Sequence, residues 1–193
     1  MRIIAGELKG RRLHRPEGIQ TRPTSDRLRE TIFNILSFRT QQAVVLDLFS
    51  GTGAMGIEAL SRGADSALLV DDSHQAIALI SKNIRSLSLE KRTRVQRWNI
   101  ARNLNFLRQV HLSFDLVFMD PPYNRNMVGT TLHLLLQSES LAAHACIVVE
   151  HSVLECACFD YPELDLYDQR TYGKTMVSFL SFNPRWRDSH DHA

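Results

Sequence analysis

Short apolar runs alternate with segments of helical periodicity between residues 43 and 149, and no other feature limits the fold so strongly. Strands are expected over 43–48, 67–70, 94–98, 114–119 and 146–149. Helices are expected between them, over 54–62, 75–87, 101–110 and 128–136. Repeated strand–helix units build a mostly parallel sheet with helices on both faces. The rhythm then changes. Residues 165–172 and 175–182 read as two strands joined at Gly173-Lys174, an antiparallel closing hairpin.

The part before the alternation reads differently. Residues 2–5 and 12–15 form an expected hairpin around Gly6 and Gly10. Thr21-Arg22-Pro23-Thr24-Ser25-Asp26 is a polar connection whose last three residues are candidate helix caps. In the helix that follows, Leu28, Ile32, Ile35 and Leu36 share a core face, and Arg27, Arg29 and Glu30 fall on the other. The organisation expected is a basic extension over 1–40, a doubly wound α/β domain over 41–183 and a polar tail over 184–193.

The first strand runs into Asp47-Leu48-Phe49-Ser50-Gly51-Thr52-Gly53-Ala54-Met55-Gly56 and then a helix. Gly51, Gly53 and Gly56 fit G-x-G-x-x-G in its strand–turn–helix setting, which lets a ligand approach the backbone. Asp71 follows Gly51 by twenty residues, at the end of the second strand, where a carboxylate accepts both hydroxyls of a ribose. An adenosine-containing cofactor is therefore expected. Asp47 favours a ligand with a cationic amino group over a pyrophosphate, which its charge repels.

The fourth strand ends in Asp120-Pro121-Pro122-Tyr123. Two prolines carry no N–H, so this backbone offers carbonyl acceptors with few competing donors. Asp120 adds a carboxylate and Tyr123 a flat aromatic face. Such a site suits a planar group bearing an NH₂, held by acceptors and stacked on the ring.

Hydrophobic content of 44% and charged content of 23% are those of a soluble globular chain. No apolar run approaches the roughly 18 residues of a membrane span. A cytoplasmic monomer is expected. Cys146, Cys156 and Cys158 have neither disulfide nor zinc spacing, so no metal is expected. Net charge is +2, yet residues 1–30 carry eight Lys/Arg against four acids. A basic end on a near-neutral body points to a polyanion contact through Arg11, Arg12, Arg15 and Arg22. His111, His133, His144 and His151 read as ordinary surface or core histidines, with Glu150-His151 a further candidate for the pocket border.

These motifs together resemble one family. Asp-Pro-Pro-Tyr after a fourth strand, with a glycine loop after the first, is similar to the class I amino-methyltransferases of nucleic acids. Met1-Arg2-Ile3-Ile4-Ala5-Gly6, Leu8-Lys9-Gly10-Arg11, the 21–30 block, the 47–63 block and Tyr172-Gly173-Lys174-Thr175 narrow the resemblance to the RsmD family. That family methylates guanine N2 in bacterial 16S ribosomal RNA. The resemblance implies S-adenosylmethionine as methyl donor and 16S RNA, within an assembling small subunit, as partner. It places Asp47, Ser50, Gly51 and Gly53 at the methionine end of the donor, and Asn99 and Ile100 at its adenine. It leaves open whether Asp71 or Asp72 holds the ribose. Asp120, Pro121, Pro122 and Tyr123 would hold the target guanine.

Guanine's exocyclic nitrogen is a poor nucleophile because its lone pair is delocalised into the ring. Asp120 and the Pro121 carbonyl are expected to hold its hydrogens, so that positioning supplies most of the acceleration. An ordinary aspartate, with a pKa of about 3.9, is a weak base, so Asp120 receives a proton only after the nitrogen has become cationic. The base must leave its stack to enter. Three alternatives remain: adenine-N6 methylation, which uses the same tetrapeptide; an RNA-binding protein on this fold without turnover; and, weakest, an NAD-dependent oxidoreductase.

Overall fold

The structure, a computed structural model, describes residues 1–15, 26–123, 125–155 and 159–184. It divides into two compact units, Met1–Asn99 and Ile100–Ala193.

The first unit holds α1 (Asp26–Leu36), β1 (Val44–Leu48), α2 (Ala54–Ser61), β2 (Ser66–Asp71), α3 (His74–Leu87) and β3 (Thr93–Arg97). β1 pairs with β2, and β2 with β3, both parallel. That is the pairing expected of βαβαβ. Val45, Leu46, Leu48, Leu68, Leu69 and Val70 are buried, as continuous apolar runs require when both faces of a strand are covered. Ser73 caps α3 by accepting from the Ala76 amide, and Ser88 closes it in the left-handed conformation.

The second unit holds α4 (Leu107–Val110), β4 (Phe114–Met119), α5 (Met127–Gln137), β5 (Leu141–Ser152), β6 (Leu164–Tyr172) and β7 (Thr175–Phe182). β4 and β5 are parallel; β5–β7 and β7–β6 are antiparallel. The expected fold class stands: α/β, with mostly parallel strands and a C-terminal antiparallel hairpin.

Four local expectations are corrected. The helix expected over 101–110 forms only at Leu107–Val110. The Asn105 amide donates to the Asn103 side chain at 3.1 Å, a local turn that competes with the helix. β5 is longer than 146–149. Leu141 pairs with Phe114 and Cys146 with Leu116, and the extra residues bulge out at His144, whose φ is 64°. The N-terminal hairpin pairs closer to its turn than 2–5 with 12–15: Arg2 bridges Arg12, Leu13 donates to the Met1 carbonyl, Ile3 to that of Arg11 and Gly10 to that of Ile3. The rest of the first arm and the turn donate to α2. Ile4 and Ala5 donate to the Glu58 carboxylate at 2.8 and 3.0 Å, and Glu7 donates to the Ser61 carbonyl at 2.8 Å. Gly6 sits so close that a Cβ would lie 1.7 Å from that carbonyl, and its φ of +84° also favours glycine.

The fourth correction is Arg29. It was expected on the solvent face of α1 and is fully buried. Its guanidinium donates to the Arg2 carbonyl and lies 3.4 Å from the buried carboxylate of Glu58. Asp26, one turn earlier, accepts from it at 3.2 Å. Glu58 also takes Arg62 at 2.8 Å, and the Arg62 guanidinium stacks 4.8 Å above Phe33 of α1. α1, α2 and the N-terminal segment therefore meet at one buried carboxylate.

Removing one partner of a buried pair leaves the other charged and desolvated. We expect Glu58→Ala to cost about 3–5 kcal/mol in urea denaturation. It should also make residues 1–15 accessible to protease in the folded state. Gly6→Ala should release the same segment at a smaller cost in stability.

Candidate active site

The glycine loop joins β1 to α2. Its glycines do not all serve a ligand. A Cβ on Gly53 would lie 2.9 Å from the Leu69 side chain, and one on Gly56 would lie 3.2 Å from Asp47 Oδ2. These two let α2 pack on β2 and let Asp47 reach the backbone. Gly51 is exposed, and a Cβ there would have only the Phe49 carbonyl oxygen near it, at 4.0 Å. Only Gly51 keeps the close-approach role.

All three glycine amides already have acceptors. Gly51 N–H donates to Asp71 Oδ2 at 2.9 Å, Gly53 to the Ser50 carbonyl at 2.7 Å, and Gly56 to Asp47 Oδ2 at 2.9 Å. A dinucleotide site uses such loop amides for its phosphates, and here two of the three are taken by protein carboxylates. The other Asp71 oxygen accepts from the Ser73 amide at 2.9 Å, so Asp71 fastens this loop to the start of α3. Asp72 is exposed. The Ser50 hydroxyl is turned inward. It donates to the Asp47 or Val70 carbonyl and accepts from the Val70 amide at 2.9 Å, tying the ends of β1 and β2 together.

Asp47 is 2% exposed. Burial pushes its pKa up to about 7; the Gly56 amide opposes this and the Asp71 charge adds to it. Asp47 is therefore partly protonated near neutral pH, and the loop's more accessible anionic group is Asp71. Asn99 follows β3 and is exposed, while Ile100 is buried. The Trp98 amide donates to the Asp71 carbonyl at 2.9 Å, which holds the chain entering Asn99 against the end of β2.

In the second unit Pro121 is buried, whereas Asp120, Pro122 and Tyr123 are exposed. Tyr123 is held by its hydroxyl. It donates to Glu150 Oε1 at 2.9 Å and meets Thr175 Oγ1 at 3.1 Å, side chains on the neighbouring strands β5 and β7. Partial burial raises the phenol's pKa. The Glu150 and Asp120 charges reinforce this, and the Thr175 hydrogen bond opposes it. The phenol therefore stays protonated and the ring is fixed in place.

Sequence reasoning placed Glu150 only at a pocket border and missed Thr175 as a partner. The signal was present in Tyr172-Gly173-Lys174-Thr175, but nothing local ties it to Tyr123. His151 is buried instead. Its Nε2 lies 3.0 Å from Ser178 Oγ and its Nδ1 3.1 Å from the Ser152 carbonyl, and burial holds its pKa below the usual value. It is a neutral core histidine, as expected.

Of the basic residues, Arg11, Arg12 and Arg15 are exposed. Arg22, with Cys156 and Cys158, lies outside the described residues. Among the described residues no group of His, Cys, Asp and Glu has metal-site geometry, and no helix is long and apolar enough to cross a membrane.

The Asp47 shift has a consequence for stability. The folded state holds this proton more tightly than the unfolded chain. Its contribution is full below the unfolded value of 3.8 and is lost as pH rises through about 7. Wild-type stability should fall relative to Asp47→Asn by up to about 1.4 kcal/mol per pH unit in that window, and the two should run parallel above it. Urea denaturation at a series of pH values measures the difference.

Comparison with known proteins gives the family. The family model described as conserved hypothetical protein 95 matches residues 1–181. The chain is 39% identical over 153 residues to ribosomal RNA small subunit methyltransferase D of Escherichia coli (strain K12), covering 79% of this chain and 75% of that protein. It is 35% identical over 178 residues to YlbH of Bacillus subtilis, covering 92% and 97%. The solved structure of yhhF from Escherichia coli superposes with a TM-score of 0.83 at 35% identity, covering 95% of this chain and 98% of that one. With both the family model and these relatives spanning most of its length, the chain belongs to the RsmD family.

Proposed function

We propose that this protein transfers a methyl group from S-adenosylmethionine to the exocyclic N2 of a guanine in 16S ribosomal RNA of the small subunit. One observation carries the choice of donor. Asp71 and Asp47 accept the Gly51 and Gly56 amides, which are then not free to cradle a phosphate, and Asp71 adds a negative charge at the exposed Gly51. That loop repels a pyrophosphate and attracts an ammonium or sulfonium group. S-adenosylmethionine carries both, and when bound it supplies an electrophilic methyl group.

On this reading Asp47 and Gly51 attract the amino-acid end, and Asp71 or Asp72 takes the ribose hydroxyls. Asn99 and Ile100 meet the adenine. Ser50 and Gly53 act by shaping the loop. The second unit takes the acceptor. Asp120 and the Pro121 carbonyl orient the amine, and Tyr123 stacks on the extruded base. The alkylated nitrogen becomes cationic and loses a proton, for which Asp120 is an exposed acceptor.

Guanine is favoured over adenine by the acceptors around Tyr123. Guanine's edge presents donors at both N1 and N2, which suits a pair of acceptors such as the Asp120 carboxylate and the Pro121 carbonyl. Adenine presents one donor and one acceptor there. The relative in Escherichia coli is named for the small-subunit RNA, which supports the same substrate class. A cytoplasmic enzyme acting on an assembling subunit follows from that substrate.

The test is methyl transfer from labelled S-adenosylmethionine to small subunits lacking the modification, with nucleoside analysis of the product. N2-methylguanosine at one site is expected. Methyladenosine would move the enzyme to the adenine branch, and absence of cofactor binding would overturn the reading. Asp120→Ala should lower turnover by about 100-fold or more while leaving cofactor affinity intact. Tyr123→Ala should raise KM by the loss of a stacking contact of about 1–3 kcal/mol. Tyr123→Phe should act chiefly on turnover through ring placement. A Glu150→Ala change added to Tyr123→Phe should then have little further effect.

A further inference from the structure

The N-terminal segment does not project as a free arm. It runs back along α3. Arg11 donates to the Ser86 carbonyl at 2.9 Å. The His14 amide donates to Asn83 Oδ1 at 2.7 Å, and Asn83 Nδ2 reaches the His14 carbonyl at 3.4 Å. Asn83 is fully buried, and its amide nitrogen also donates to the Thr52 carbonyl in the glycine loop at 2.9 Å. Residues 11–14 are therefore fixed beside residues 83–86.

This contact brings two sets of cations together. Lys82 and Arg85 stand one helical turn apart on the exposed side of α3, flanking Asn83. Arg11, Arg12 and Arg15 are exposed on the segment lying against them. Among the described residues none of the five pairs with a carboxylate. Among the described residues the acids nearest in sequence do not dilute the cluster much: Glu7 is spent on Arg92 at 2.6 Å, and Glu90 is the one acid from Lys82 to Arg97 against six Lys/Arg. The C-terminal carbonyls of α3 would repel an anion, but Arg11 covers one of them.

We propose that this composite face is an RNA-docking surface, with Lys82 and Arg85 of α3 as phosphate contacts alongside Arg11, Arg12 and Arg15. The inference rests on the reading of the substrate as ribosomal RNA. It adds residues that the charge count of the first thirty positions does not include. The buried anchors fix the backbone that carries these cations before RNA arrives, so less ordering entropy is lost on binding.

The test uses the full chain with Lys82→Gln and Arg85→Gln together, since neither side chain anchors the segment. Binding of protein-free 16S RNA is measured by filter retention from about 50 to 200 mM salt. Affinity should fall roughly tenfold, and the slope of log affinity against log salt should flatten by about one for each lost contact. Melting temperature and S-adenosylmethionine affinity should match wild type. Unchanged RNA affinity and slope in the folded double variant would overturn the surface. So would loss of binding to phosphatidylserine vesicles with RNA binding intact. If the RNA effect appears but no N2-methylguanosine forms, the methylation reading fails and the surface stands. If methylation occurs and the variant binds RNA normally, the reverse holds.

Discussion

A single buried carboxylate, Glu58, sets how the first unit is assembled. It accepts the Ile4 and Ala5 amides, takes Arg62 one turn along its own helix, and faces the buried guanidinium of Arg29. A buried acid this well surrounded is stable only while its partners stay in place. The N-terminal segment is thus a structural component of α2's environment, and Gly6 permits the approach. Once that segment is fastened, its continuation is delivered to α3, where Asn83 and Ser86 receive His14 and Arg11.

The same helix, α2, begins at the glycine loop. Seven of its eight residues are buried, so little of it is free to adjust. At one end Gly53 and Gly56 allow close packing on Leu69 and let Asp47 meet a backbone amide. At the other end Glu58 and Ser61 hold the N-terminal segment. Asn83 makes a second link, since it touches both His14 and Thr52. The surface assigned to RNA and the loop assigned to the methyl donor share these anchors.

Chemistry in the second unit depends on similar fixing. Asp-Pro-Pro-Tyr presents acceptors because prolines remove donors, which is a property of the tetrapeptide itself. The aromatic face needs more. Its hydroxyl is tied to Glu150 and Thr175, which the β5–β7 pairing brings to neighbouring strands. If Tyr123 stacks on a base as proposed, a ring held this way loses little freedom on binding.

Local pattern alone was enough for the alternation of strands and helices, the strand that ends at Asp120, the Gly51–Gly53–Gly56 turn and the carboxylate at Asp71. Each depends on neighbours within a few residues, through periodicity, proline and glycine. The same reasoning put Arg29 in solvent, because helical spacing gives a face but not what covers it. It overlooked the pairings of Arg29 with Glu58, of Tyr123 with Glu150 and Thr175, and of Arg11 with Ser86, whose partners lie 27 to 75 residues apart. It did not foresee that Asp71 and Asp47 accept two of the glycine amides. Burial and long-range hydrogen bonds exist only after the chain has closed on itself. The sequence therefore determined which groups could do chemistry, and the tertiary structure decided which of them remain available to do it.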